Sequence, residues 1–170
     1  MIISEKIGNL KDIETRNRGI DKVYLEWYET GKRILHKRTT GGKELMMKFL
    51  NENPNLLQDD VIYEDENCLV AIEIQPCEVI IVYPGSMYGM AKLCYEIGNK
   101  HLPLFYEKDA VLIPYDAPVF KWLTVSGFEP VREYRKLLYQ VKTTVSAHAH
   151  TDNNNSLFSK ILKLTSPAND

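Results

Sequence analysis

The chain has no apolar run near the ~18 residues that a membrane-spanning helix needs. Its opening, MIISEKIGNLKD, mixes acid and base and lacks the apolar stretch of a signal peptide, so a cytoplasmic, membrane-free setting is expected. Cysteine is scarce: Cys68, Cys77 and Cys94 stand at irregular spacing with no C-x-x-C. That excludes a zinc knuckle and a thioredoxin-like redox pair, and it suits a reducing compartment. An excess of either charge is also missing. The 170 residues carry 21 Lys and Arg against 23 Asp and Glu, a formal net charge of -2. The broad basic field of a nucleic-acid binder is therefore absent. No G-x-S-x-G, H-E-x-x-H or phosphate-binding glycine loop occurs, which removes the common catalytic templates. Histidine is sparse too: His36, His101, His148 and His150 are all there are.

What is present is a chain with 44% hydrophobic residues, enough for a packed core. The patterning predicts an α+β fold in three parts. Residues 1–75 read as a small all-β domain of short antiparallel strands. Within residues 22–28, KVYLEWY, Val23, Leu25 and Trp27 alternate with Tyr24, Glu26 and Tyr28. That period of two is a half-buried strand. Residues 32–39 are a second strand, and Gly41-Gly42 marks a hairpin. VIYEDENCLVAIEI gives two more strands around residues 64–67.

Residues 76–142 change character. CEVIIVY is a nearly continuous apolar strand, and Ser86 can cap a helix after Pro84-Gly85. Met87, Met90, Ala91, Cys94 and Ile97 recur at helical spacing, and Gly98-Asn99 supplies a left-handed end. LPLFYE and AVLIPY are strands. Asp116 caps a second helix with Val119, Phe120 and Leu123 on its core face, and Gly127 closes it. EPVREYRKLLY is the last strand. The order βαββαβ is the ferredoxin-like pattern. Residues 143–170 are polar and read as a flexible tail with one apolar segment, Leu157 to Leu164. Domains this small sit near marginal stability, which favours an oligomer.

Chemistry concentrates on histidine. His101 follows the first helix of the second domain, where an imidazole can cap carbonyls or ligate a metal. One imidazole is far short of a coordination sphere, so further donors must come from a second subunit across a two-fold axis or from the tail. His148-Ala149-His150 can chelate one ion. A tether of about ten residues from the last strand spans about 17–19 Å, enough to return the pair to its own domain. His36 lies inside a strand and reads as incidental. Cys94, on the stripe facing the core, is a poor nucleophile. Phe105 and Tyr106 invite an RNA-binding reading, but the basic-Gly-aromatic signature is missing.

At CYEIGNKH, Cys94 to His101, the chain resembles the UreE family, the urease accessory nickel metallochaperones. EIGNKH matches that family's Glu-Ile/Leu-Gly-Asn-Arg/Lys-His motif. MIISEKIGNL and DKVYLEWYETGKRILHKRTTGGKEL are similar to its opening strand and N-terminal hairpin. The resemblance covers roughly residues 1–140. It implies a non-enzymatic homodimer, one that admits pairing into a dimer of dimers. It implies Ni²⁺ held at the dimer interface by His101 of both subunits, with Zn²⁺ able to take the same place. It also implies tail ligands at His148 and His150, and delivery to apo-urease together with the maturation GTPase. The chain departs from members with long His-rich tails, having only two tail histidines, so bulk nickel storage is not expected. The alternative is a protein-interaction module that binds a client segment along an exposed strand edge of the first domain.

Overall fold

The computed structural model describes residues 1–50 and 53–142. The opening segment contributes two short strands, β1 (Ile2–Ile3) and β2 (Gly8–Asn9). Then come β3 (Gly19–Leu25), β4 (Ile34–Arg38), β5 (Glu44–Lys48), β6 (Asp60–Glu64) and β7 (Cys68–Ile74). They form two sheets, ordered β1-β5-β4 and β2-β6-β7-β3. β4 and β5 make the hairpin expected at Gly41-Gly42, and Gly42 takes a φ of 84° that only glycine adopts without strain. The sheets close on one core that includes Leu25, Met47, Leu56 and Ile72.

Two expectations for this unit are corrected. Not all pairs are antiparallel: β1 runs parallel to β5, and β3 runs parallel to β7 over its whole length. A period of two reports which face is buried, not which neighbour pairs or in which direction. The strand read over residues 22–28 starts earlier and stops at Leu25. Trp27–Glu29 is a single 3-10 turn instead. The Glu26 backbone N–H donates to Oε2 of Glu29 at 3.0 Å, and the Glu29 N–H donates back to the Glu26 carbonyl at 2.9 Å. That reciprocal closure bends the chain away from the sheet and turns Trp27 out of the strand.

The second unit follows the order β8 (Cys77–Val82), α1 (Met87–Asn99), β9 (Phe105–Glu107), β10 (Ala110–Pro114), α2 (Ala117–Val125) and β11 (Val131–Arg135). Its sheet order, β11-β8-β10-β9, is the ferredoxin-like arrangement. Both predicted caps are present. Ser86 Oγ accepts from the Gly89 N–H at 3.0 Å, and Asp116 Oδ1 accepts from the Val119 N–H at 2.9 Å. Gly89 has a steric reason to be glycine, because a Cβ there would lie 2.6 Å from the Pro84 carbonyl oxygen. The helices cover one sheet face through Leu93, Ile97 and Leu123, packed on Ile80, Val82, Val111 and Ile113.

The other sheet face carries Val79, Ile81, Phe105 and Leu112, and the first unit helps to cover it. Trp27 meets Phe105 edge-on, with ring centroids 5.5 Å apart. The last strand is shorter than the sequence suggests: β11 stops at Arg135 and the chain crosses between the units. Leu137 joins the core of the second unit and Leu138 packs against the core of the first, since adjacent extended residues point opposite ways. Lys136 reaches Glu73 on β7. Among the described residues, no helix is long and apolar enough to cross a membrane.

Glu73 is the polar centre of this seam. Burial alone would raise its carboxyl, but hydrogen bonds from Lys136, Lys22 (2.7 Å) and Gln58 outweigh that and hold it at about 2, against an ordinary 4.5. A carboxylate depressed in the folded state contributes stability above its unfolded value and loses it as pH falls through the folded one. Its side chain is 12% exposed while Lys136 and Lys22 are far more so, which screens the pair. We expect Glu73→Gln to cost about 1–2 kcal/mol at pH 7. The deficit should shrink between pH 5 and pH 2, read as converging denaturation midpoints of the two proteins. A deficit that stays constant with pH would remove the carboxylate's charge from the account.

Candidate functional site

The last turn of α1 builds the site. The helix runs through Asn99, as the expected stop at Gly98-Asn99 implies, and Lys100 is its cap. The left-handed residue is His101 itself, at φ 54°. Its backbone N–H donates to the Gly98 carbonyl at 3.0 Å, and the Leu102 N–H donates to the Ile97 carbonyl at 3.2 Å. These are the two bonds of a Schellman closure, which usually has glycine at the left-handed position. Leu102 packs into the same core as Ile97, completing the apolar contact that goes with this turn. So His101 closes the helix by its backbone, and its exposed side chain is left for other work.

The left-handed residue therefore falls on His101 rather than on the expected Gly98-Asn99. Gly98 is helical and exposed, and a Cβ placed on it would meet nothing within 4 Å. The subunit alone gives no steric reason for glycine there. Lys100 is drawn to the other side of the turn, its ammonium lying 4.7 Å from the Trp122 ring centroid on α2. A cation–π contact of this kind ties the helix end to its neighbour.

The apolar stripe is also rotated from the expected one. Leu93 and Ile97 are the fully buried side chains of α1, with Met90 and Cys94 half-buried beside them. Met87 is 90% exposed and Ala91 is exposed as well. With Tyr88 and Tyr95 also exposed, an apolar strip runs along the outer face of α1 beside Lys92, up to the turn that carries His101. A helix apolar on more than its core side passes the binary pattern test but blurs which line is buried.

Cys94 is half-buried rather than buried. Its thiol contacts the Met90 sulfur at 3.7 Å, and burial pushes its pKa up. It is no reactive thiolate. Phe105, one of the two aromatics considered for base stacking, is buried under Trp27, whereas Tyr106 is exposed. His36 sits exposed on β4, in the other unit from His101. His148 and His150 lie outside the described residues, as does the segment from Leu157 to Leu164. Their chain, however, is rooted near the site. The Val141 N–H donates to the Leu104 carbonyl at 2.8 Å, three residues after His101. Among the described residues, no three His, Cys, Asp or Glu side chains gather as a metal-binding group. Among the described residues, the turn after α1 therefore offers His101 as its one exposed imidazole.

Comparison with known proteins decides the family. The profile described as the UreE urease accessory protein, N-terminal domain, matches residues 3–75. The corresponding C-terminal domain profile matches residues 77–155. The chain belongs to the UreE family. It is 42% identical to a urease accessory protein UreE of Flavobacterium johnsoniae, over 96% of this chain and 99% of the relative. It is 40% identical to that of Actinobacillus pleuropneumoniae, over 88% and 81%. The UreE of Acetivibrio thermocellus is 34% identical, over 89% and 98%. UreE proteins are urease accessory proteins rather than enzymes.

A side chain at a left-handed position costs roughly 1 kcal/mol relative to glycine. We therefore expect His101→Gly to raise or hold the melting temperature, by up to about 2–4 °C in a chain of this size. Scanning calorimetry of the metal-free protein reads this directly. A clear fall would mean that the imidazole supports the fold.

Proposed function

We propose that this protein is a cytoplasmic nickel metallochaperone of urease assembly, working as a homodimer with His101 of both subunits at the shared metal. The observation that carries the reading is the exposed imidazole on a backbone turn where glycine would be the cheaper occupant. Backbone strain held at one residue is a pointer to function. Imidazole nitrogen suits nickel and zinc alike.

A single donor cannot hold an ion, so His101 needs further donors, from a second copy and from the tail. The outer face of α1 supports such a copy. Met87, Tyr88 and Tyr95 offer apolar area beside the turn. Gly98 leaves the helix backbone open to close approach one turn before His101. A two-fold axis there would bring two imidazoles together. The tail adds donors. His148 lies seven residues beyond Val141, and a coil of seven residues would span about 13–16 Å. From Leu104 back to His101 is at most about 11 Å along the chain. The chain length would thus allow His148 and His150 to reach His101 of their own subunit.

Such a site is exchangeable by construction. A structural site of four thiolates would trap zinc, whereas imidazoles from two subunits and two tethers can be surrendered one at a time. Acid weakens binding because protonated imidazole is no ligand. The receiving partners are the maturation GTPase and apo-urease.

Calorimetric titration of the metal-free protein with Ni²⁺ tests the reading. We expect about one tight ion per pair of chains, as a two-fold site requires. His101→Ala should abolish that tight step, and His148→Ala with His150→Ala should weaken it by less. Unchanged binding in His101→Ala would sink the assignment. Gly98→Ala should stabilise the isolated helix end yet weaken self-association in sedimentation velocity. A variant that dimerises as well as the parent would show that close approach at Gly98 is not used.

A further inference from the structure

Among the described residues, nothing covers the outer side of the seam between the two units. Leu138 packs inward there, but Leu57, Tyr106 and Tyr139 around it stay 49%, 52% and 53% exposed. Two adjoining hollows share Leu57, Leu138 and Tyr139 as their wall, one of about 180 Å³ and the other of about 470 Å³. Leu56 and Ile74, both buried, floor the smaller one. The rim of the larger is polar and close to charge-balanced, with Lys6 bonded to Asp60 and Lys11 followed by Asp12. The two hollows form one groove with an apolar wall, and exposed apolar surface of this kind marks a contact site.

The backbone itself leads out of this groove. The Tyr106 N–H donates to the Tyr139 carbonyl at 3.0 Å and the Val141 N–H to the Leu104 carbonyl at 2.8 Å, with Phe105 bridged to Gln140 between them. Residues 139–141 thus extend the second sheet beyond β9, and Lys142, the last described residue, stands in the groove wall. Fourteen residues separate Lys142 from Leu157, and a coil of that length would span about 19–22 Å. Beyond it, Leu157, Phe158, Ile161, Leu162 and Leu164 recur at helical spacing with Lys160 and Lys163 among them. A short tether holds its end at an effective concentration of about millimolar, so even a weak contact with the neighbouring groove forms ahead of one with a separate protein. We propose that residues 157–164 dock in this groove of their own subunit. Leu157, Phe158, Ile161 and Leu162 would lie on Leu57, Leu138 and Tyr139, leaving Lys160 and Lys163 in water. His148-Ala149-His150 would then sit on a loop closed at both ends. The docking needs no metal, so it does not rest on the nickel reading.

Trypsin reads the docking in the full-length, metal-free protein, because cleavage after Lys160 and Lys163 follows the population of the undocked segment. Leu57→Ser with Tyr139→Ser alters side chains that are half exposed in the fold. It should speed that cleavage at least ~5-fold by mass spectrometry, with little change in melting temperature. Should the double variant fail to fold, the tail gives a second reading. Phe158→Ser with Leu162→Ser should shift the backbone amides of Leu57, Tyr106, Leu138 and Tyr139 in NMR spectra of the full chain. His101→Ala, and His148→Ala with His150→Ala, should leave cleavage at the parent rate, which separates the groove from the metal site. Unchanged cleavage in the groove variant, or amide shifts confined to residues 143–170 or to another surface, would overturn the proposal. So would protection that grows with protein concentration, which would assign the segment to the groove of a second copy.

Discussion

A sheet buried on both faces needs two covers, and that requirement organises this molecule. Val79, Ile80, Ile81 and Val82 on β8 are all essentially inaccessible, as are Val111, Leu112 and Ile113 on β10. The two helices can cover only one side. Trp27, brought in by the 3-10 turn after β3, and Leu137, brought in after β11, complete the other. Each fully buried aliphatic side chain contributes roughly 1.5–3 kcal/mol, so neither cover is optional for a unit this small. The seam between the units thereby becomes part of a core rather than a contact of two surfaces. Glu73 supplies its polar register, accepting from Lys22 of its own unit and from Lys136 of the crossing strand.

The same economy shapes the end of α1. Helices leave their final carbonyls without intrahelical donors, and something must satisfy them. Here the backbone of His101 and Leu102 does so, while Leu102 anchors the turn in the core. The imidazole is thus presented on a fixed backbone without being consumed by the fold. Tyr88, Tyr95 and Met87 make the approach to it apolar. Cys94 and Met90, the nearest soft donors on the helix, are directed instead toward the core.

Local chemistry was the legible part of this chain. Ser86 and Asp116 cap where their positions predict, Gly42 turns the hairpin, and the βαββαβ order follows from apolar runs of the right length. EIGNKH pointed to the family because it joins a helix end to a histidine. What escaped reading was set by distant partners. Nothing local says that β3 pairs parallel with β7, since their residues are separated by four intervening elements and a period of two has no direction. Trp27 alternates in phase with Val23 and Leu25, and only the Glu26–Glu29 closure takes it out of the strand. On α1, excess apolar residues on the outer face masked the Leu93–Ile97 line. Gly98-Asn99 attracts the left-handed assignment because glycine and asparagine are its usual bearers, yet the turn falls on His101, where Leu102 can reach the core.

The backbone of His101 has a consequence for how substitutions at this position are scored. An assay that reads only how much folded protein a cell accumulates would rank glycine, and asparagine with its tolerance of the left-handed region, at or above the native residue. If His101 holds the metal as proposed, an assay that reads urease maturation would rank them far below it. On that proposal, residue 101 is a place where abundance and activity pull the sequence in opposite directions. Selection for folding alone would erase the imidazole.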